Sequence, residues 1–516
     1  MRLPLKGPYF GPNNPSRLAS RSPAFARSVK RPGKRGIWMR NSSNRRHLSR
    51  ASGAGAALLL SLAIATAQAR AEDFAITHVS VIPMDRERVI PDQTLLVHDG
   101  HILRYGPAAS TLPPKGGKLI DGRGRYVIPG LSDMHVHIPV GGPTINGSAE
   151  GSVSPDAARA FLDLFIANGV TTVRNMAGGE PHLLLRDAIN AGKVEGPRIF
   201  TASAIMDGDP PLTSYTMAFG KPDAARAYVR WSARKGFDFI KVYSTLGTDV
   251  FDAVVDEAGK QKLPITGHLP QLVSFDHALR GMRSIEHLSG FDVAFWPDPS
   301  KVSAGIPDLY TGFAFGTTAK IEELVAKVKK AGVWNDPTLV VYDRLTNELD
   351  REKRQDLPEG RYLPAELRDD TLFNQVFDAR HRSNLEGSRS VRLAIVKALS
   401  DAGAPLLTGT DSPALVVVPG FSLHTELKHF VEAGLTPYQA LAASTAEPAR
   451  YLDRVGQFGT IVPGASADLV LLAANPLEDI DNVDRIEGVM VRGRWYPRQE
   501  IDATLEAHAA KFAAPE

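Results

Sequence analysis

Val127-Ile-Pro-Gly-Leu-Ser-Asp-Met-His-Val-His137 is the stretch on which the reading of this chain turns. Side chains two apart on a strand point the same way. A strand ending here therefore aims the His135 and His137 imidazoles at one point from its C-terminal end. One metal ion can take both, although such a pair also occurs as ordinary sheet residues. The surrounding sequence decides between the two.

Upstream, Phe74–Ile82, Gln93–His98 and His101–Tyr105 read as short strands, and Asp99-Gly100 between the last two is a type I′ hairpin signal. Downstream the pattern changes to alternating strand and helix. Strands are predicted at Thr171–Arg174, Arg198–Ala202, Phe239–Tyr243, Pro264–His268, Arg283–His287, Thr338–Val341 and Pro405–Thr408. Helical stretches such as Asp156–Asn168, Asp223–Lys235, Phe251–Gln261 and Ile321–Ala331 separate many of them. With the His135 strand the count is eight, which predicts an α/β fold built on a (β/α)8 TIM-like barrel. Thr436-Pro437-Tyr-Gln439 reads as a capped helix start, after which strands return at Ala467–Leu472 and Gly488–Val491, with a turn near Gly493. The expected organisation is a barrel over 131–457 with insertions near 289–336 and 343–400. A small composite β-sandwich domain from both chain ends (72–130 and 458–500) and a tail at 501–516 complete it. No internal repeat stands out.

The chain has 516 residues, enough for one large barrel plus a satellite, and its 43% apolar and 23% charged content is ordinary for a globular protein. Its formal charge of +3 conceals an asymmetry: residues 1–71 hold 14 Lys and Arg with no Asp or Glu. The other 46 basic residues face all 57 acidic ones, a charge of −11, which argues against nucleic-acid binding by the folded part. The first 71 residues read as a basic leader and signal peptide. An apolar stretch from Ala54 to Ala67 precedes the small-residue sites Ala67-Gln-Ala69 and Ala69-Arg-Ala71. The expectation is an exported protein, periplasmic or secreted, with no stable membrane span after signal removal; an uncleaved anchor is the alternative. Met39 is a candidate true start, and Arg45-Arg46 faintly resembles a twin-arginine signal. With 0 cysteines, disulfides and thiolate ligands are excluded, so a metal must sit on His or carboxylate or something unusual.

Polar residues recur at the predicted strand ends: Lys241, His268, His287 and Asp411 join His135 and His137 where a barrel carries its active site. In order along the chain stand His135-Val-His137, Gly169-Val-Thr-Thr-Val-Arg174, Phe239-Ile-Lys241, Gly267-His268, Ile285-Glu-His287, Thr408-Gly-Thr-Asp411, Glu432-Ala-Gly-Leu-Thr-Pro437 and Gly464-Ala-Ser-Ala-Asp-Leu469. Across residues 74–497 this series resembles the metal-dependent amidohydrolase superfamily, and within it the imidazolonepropionase and Xaa-Pro dipeptidase-like branch.

The resemblance implies a binuclear site, usually zinc. His135, His137 and Asp411 would hold one ion and His268 and His287 the other, with Lys241 bridging as a carbamate formed from carbon dioxide. A mononuclear site is the fallback. Two departures stand out: Gly267 where Ala is frequent and Asn175 where Asp is frequent, neither expected to touch a ligand. The implied reaction is hydrolysis of a carbon–nitrogen bond in a small molecule such as a dipeptide, N-acyl amino acid or cyclic amide. Asp411 would be the catalytic base. Neither a Gly-x-Ser-x-Gly elbow nor a His-Glu-x-x-His helix is present. Arg174, Tyr243 and His424 are the candidate substrate-binding residues, Arg174 and Tyr243 for a carboxylate. A phosphotriesterase or lactonase on the same site, and a non-catalytic binding protein, are the alternatives. The expected partner is a small-molecule substrate, and a homo-oligomer is compatible with the sequence.

Overall fold

Asp99 and Gly100 both adopt positive φ, 48° and 74°, as a type I′ turn demands, and they join strand β2 (Ile90–His98) to β3 (His101–Pro107). This hairpin belongs to a computed structural model that describes residues 73–139, 155–213, 215–302, 305, 310–348, 357–363, 379–414 and 417–513. The leader read over 1–71 lies outside the described residues, as do most of 349–378. No helix among the described residues is long and apolar enough to cross a membrane.

The first strand, β1 (Phe74–Val81), pairs antiparallel with β2 and parallel with β4 (Lys118–Asp121) and β5 (Tyr126–Pro129). Strands from far along the chain enter the same sheet: β15 (Leu469–Leu472) pairs with β5, and β16 (Ile486–Val491) and β17 (Arg494–Pro497) follow it outward. The result is a single eight-stranded sheet drawn from both ends of the described chain. One face buries Ile76, Val81, Leu95, Ile102, Leu469, Leu471 and Met490. Alternation puts these side chains on one side, with the register shifts in β1 on either side of Val79 bringing Val81 to the same face as Ile76.

Parallel strands alternating with helices occupy the middle. In one sheet β6 (Leu131–Val136), β7 (Val170–Asn175) and β8 (Arg198–Thr201) run side by side. A second sheet holds the short pair β9 (Met206–Asp207) and β10 (Met217–Ala218), then β11 (Ile240–Val242), β12 (Ile265–Gly267), β13 (Ser284–Glu286) and β14 (Trp334–Asp336). Single bridges connect Ala202 to Phe239 and Asn335 to Leu406. The segment around 405–412 makes no full strand. It is nonetheless hydrogen-bonded on both sides, Leu407 N–H to Asn335 O at 2.8 Å, and Met134 N–H to Thr408 O at 2.9 Å. The packing there is tight enough to require glycine at 409, since a Cβ would lie 2.6 Å from His135 Cβ and 2.5 Å from an Asp336 carboxylate oxygen.

Helices occupy Pro155–Ala167, Pro222–Lys235, Thr248–Gln261 and Thr318–Ala331, each within a few residues of its expected range. The capping box at Thr436 forms, with Thr436 Oγ1 accepting from Gln439 N–H at 3.2 Å. Short helical turns at Phe291–Phe295 and Thr311–Phe315 precede the helix at Thr318–Ala331.

One expected strand is overturned. Thr338–Val341 is not extended: the strand is Trp334–Asp336, and Leu339–Glu348 is a helix. Leu-Val-Val reads locally as a strand, but the buried Glu426 carboxylate accepts from Leu339 N–H at 2.8 Å and Val340 N–H at 2.7 Å, capping the helix from 86 residues away or more. Glu426→Ala leaves both amides buried without partners. It is expected to destabilise the fold by about 2 kcal/mol, read as a lower urea midpoint. An unchanged midpoint would mean that other contacts set the helix start.

Candidate active site

Strand β6 delivers His135, with His137 one residue past its end, and four further segments bring Lys241 and Tyr243, His268, His287 and Asp411 to the same place. His135, His137, Lys241, Tyr243, His268, His287 and Asp411 line one cavity, together with Ile205, Tyr215, Tyr310, Val341, Tyr342, Leu345 and Ala414. The His135 ring lies 5.3 Å from His137 and 4.4 Å from His287 between centroids, and His268 lies 4.8 Å from His287. Asp411 Oδ1 is 2.7 Å from His137 Nε2 and 3.3 Å from His135 Nε2.

Backbone strain collects here. His287 and Asp411 have φ of 60° and 64°, and Thr338 and Leu288 are also left-handed at 46° and 50°. Such conformations are disfavoured for branched and bulky residues and persist where surrounding structure enforces them. Gly267 has φ of 132°, and a Cβ on it would meet Val242 O at 2.1 Å and Lys241 Cδ at 3.0 Å. Gly267 therefore does bear on a candidate ligand, contrary to expectation: its bareness makes room for the Lys241 stem. Asn175 also has a defined role. Its Oδ1 accepts from Ile138 N–H at 2.9 Å, beside His137, while its Nδ2 donates to Ala177 O at 3.1 Å, which a carboxylate in its place cannot do.

The histidines are oriented from behind. His135 Nδ1–H donates to Glu286 Oε2 at 3.0 Å. Thr338 donates its hydroxyl hydrogen to Pro337 O at 2.8 Å, so its oxygen must accept from His287 Nδ1–H at 2.6 Å. In both rings the Nε2 lone pair is thereby left for the cavity. His268 Nδ1 is 2.9 Å from Ser244 Oγ. Burial, reinforced by Lys241, holds His135 well below its usual titration range. Burial and His287 do the same for His268, and burial takes His287 to about 4. Burial also pushes the Lys241 ammonium down to about 8, against the pull of Glu286 and Asp411. Burial opposes ionisation of Asp411, but His287 and the His137 hydrogen bond keep its carboxyl below the usual value. Neutral imidazoles beside an ionised carboxylate are the protonation states a divalent cation needs.

The donor set fits a metal on a second observation. His135 Nε2, His137 Nδ1 and Lys241 Nζ are buried without hydrogen-bond partners among the described residues, an arrangement that costs stability unless something else satisfies them. Candidate ligand atoms of His135, His287 and Asp411 lie within 4.8 Å of one another. A second grouping, His135 with Glu286 and Asp336, is already neutralised by a cation of the protein itself, Arg174.

Two expected substrate contacts are corrected by the structure. Arg174 is fully buried beneath the cavity: Nη2 donates to Glu286 at 2.7 Å and Asp336 at 3.2 Å, Nη1 to Tyr451 Oη at 2.7 Å and Ser284 Oγ at 3.0 Å, and Nε to Met134 O. Every guanidinium nitrogen is committed, so none is left for a substrate carboxylate. His424 is buried with Nδ1 on Asp484 at 2.9 Å and Nε2 on Asn168 O at 2.9 Å, and it does not line the cavity. Tyr243 does line it, its ring centroid 4.0 Å from His268 and its hydroxyl 3.5 Å from that of Tyr215. The sequence reading missed Glu286, Thr338, Ser244, Tyr215, Tyr310 and Tyr342. For Glu286 a signal existed: Ser284 and Glu286 share a strand face, and polar residues two apart on a buried parallel strand need a buried partner.

Candidate metal ligands thus gather in one cavity at the ends of parallel strands, and the comparisons give the class to which such a fold belongs. The amidohydrolase family pattern matches residues 126–496, and the chain belongs to that family. An imidazolonepropionase of Anaeromyxobacter sp. (strain K) is 28% identical over 373 residues, 69% of this chain and 77% of that protein. Adenine deaminase 2 of Bradyrhizobium sp. (strain ORS 278) is 27% identical over 210 residues, spanning only 32% of the deaminase's length. Among solved structures, a bottromycin amidohydrolase superposes with a TM-score of 0.66 at 24% identity, covering 85% of this chain and 90% of that one. A Xaa-Pro dipeptidase with bound methionine superposes with a TM-score of 0.61 at 22% identity, covering 83% of this chain and 100% of that one. Both show a shared fold.

Glu286→Gln exchanges the carboxylate that holds His135 for a weaker acceptor. The expected result is a chain of lowered stability, because Arg174 loses its nearer carboxylate, whose folded form binds zinc about 10- to 100-fold more weakly, measured by chelator competition. An unaltered affinity would show that Glu286 does not govern His135.

Proposed function

We propose that this chain is a metal-dependent hydrolase that cleaves a carbon–nitrogen bond in a small molecule such as a dipeptide, N-acyl amino acid or cyclic amide. The observation that carries the reading is the convergence of four histidines, a lysine and an ionised aspartate in one cavity, with three of their nitrogens buried without a hydrogen-bond partner among the described residues. The names of its relatives, an imidazolonepropionase and a Xaa-Pro dipeptidase among them, support the same class. We read the parallel strands as a closed (β/α)8 barrel with segment 405–412 as its eighth member, and the sheet built from both chain ends as a composite β-domain. Residues 54–71 support the further reading that the protein is exported and begins near Glu72.

In this reading His135, His137, His268, His287, Asp411 and Lys241 hold two divalent cations, zinc being the usual choice, with Lys241 carbamylated. Bound there, the cations would lower the pKa of a water molecule and polarise the substrate carbonyl. Asp411 is the group that accepts a proton from the attacking water and returns it to the leaving nitrogen, since its oxygen sits between two imidazoles and its charge is retained despite burial. Tyr243 walls the cavity against His268 and orients the substrate. Val341 and Leu345 add apolar wall that keeps water out.

The test is turnover of dipeptides, N-acyl amino acids and cyclic amides by zinc-loaded protein, set against lactones and phosphotriesters. Amide turnover that falls at least about 100-fold in Asp411→Asn is expected; preference for lactones or phosphotriesters would overturn the carbon–nitrogen assignment. Carbamate formation needs the neutral amine. With Lys241 near 8, that form is a minority at about pH 7 and the majority at about pH 9. Uptake of isotope-labelled bicarbonate, followed by carbon NMR, is therefore expected to rise with pH through about 8 and to vanish in Lys241→Ala. No uptake at any pH would leave a mononuclear site.

A further inference from the structure

Four phenols wall the cavity, those of Tyr215, Tyr243, Tyr310 and Tyr342, and they are not equivalent. The Tyr342 hydroxyl donates to His287 O, and the Tyr215 and Tyr243 hydroxyls face one another at 3.5 Å. The Tyr310 hydroxyl makes no hydrogen bond among the described residues.

Tyr310 is also held at an energetic cost. Its φ is 63°, a left-handed conformation that a bulky side chain rarely adopts. The buried Asp292 enforces it, one carboxylate oxygen accepting from Tyr310 N–H at 3.1 Å and the other from Gly290 N–H at 3.0 Å. The ring then packs edge-on against Tyr342, with centroids 5.1 Å apart. A strained residue fixed by a buried carboxylate, with its one polar atom left unpaired at a cavity lined by candidate ligands, is the pattern of a functional group. Burial, with the charges of Asp411 and Asp292, keeps the phenol protonated well above ordinary pH, so it remains a donor.

Building on the hydrolase reading, we propose that Tyr310 is a further catalytic residue, its phenolic O–H donating a hydrogen bond to the substrate's carbonyl oxygen as negative charge develops there. No covalent bond to Tyr310 forms or breaks. The hydroxyl keeps its proton and supplies a preoriented dipole, while Asp411 handles the proton of the water. Asp292 is the positioning residue that aims it.

The test uses the full zinc-loaded chain with Tyr310→Phe, which keeps the ring against Tyr342 and removes only the donor. Metal content and thermal midpoint should stay as in the unaltered protein. kcat on the best amide should fall about 100-fold with KM nearly unchanged, the effect of losing one oxyanion donor. Calorimetric affinity for inorganic phosphate, a tetrahedral oxyanion probe that requires no turnover, should fall about tenfold. Unchanged kcat overturns the proposal. Should the unaltered chain hydrolyse no amide, the carbon–nitrogen reading fails separately: phosphate affinity that still depends on the Tyr310 hydroxyl then supports its donor role, and affinity indifferent to it overturns that role as well.

Discussion

The buried ion pair between Arg174 and Glu286 is the interaction on which the rest of the site depends. Glu286 sits at the centre of a small network: Thr266 and Ser284 hydroxyls reach one of its oxygens at 2.6 Å each, and Arg174 and His135 share the other at 2.7 and 3.0 Å. Arg174 in turn draws in Thr266, Asp336, Tyr451 and the backbone of β6, so one guanidinium ties β6, β7, β12, β13 and β14 together under the cavity floor. Removing one partner of such a pair strands the other's charge in a medium that cannot solvate it, at about 3 to 5 kcal/mol. The arrangement therefore fixes both where the strands sit and which nitrogen His135 shows to the cavity.

Orientation from behind recurs around the site with different chemistry. His135 has a carboxylate at its back, His287 a threonine hydroxyl whose hydrogen is already spent, and His268 a serine. A carboxylate behind an imidazole raises its basicity more than a hydroxyl does, so the floor of the cavity is set up with unequal donors. The loops above are positioned by buried carboxylates too. Asp133 accepts from Thr410 N–H at 3.0 Å and its hydroxyl at 2.7 Å, fixing the approach to Asp411, while Glu426 caps the helix that supplies Val341, Tyr342 and Leu345.

What was legible in the sequence was what local periodicity encodes. Two-residue spacing found β6 and its histidines, the Asp99-Gly100 dipeptide found the hairpin, and Thr436 with Gln439 found the helix cap. Six polar residues at strand ends were readable because parallel strands with intervening helices put all their C-terminal ends on one side. What failed depended on contacts distant in sequence. Leu339-Val-Val has strand propensity, and only a carboxylate at 426 makes it a helix. Arg174 looked like a substrate anchor because its strand position is right, yet inward-facing acids on β13 and β14 claim it. Tyr310 carries no periodic signal at all, because its loop conformation is enforced by Asp292 rather than by its neighbours.

The central claim is that this cavity is a metal centre whose ligands are aimed from behind by Glu286, Thr338 and Ser244. The most direct measurement is a crystal structure of zinc-loaded protein with anomalous scattering recorded at the zinc edge. The account predicts strong peaks within coordination distance of His135 Nε2 and His287 Nε2, with Asp411 as a shared neighbour. Zinc found only at surface histidines such as His78 or His98, with the cavity filled by water alone, would contradict it.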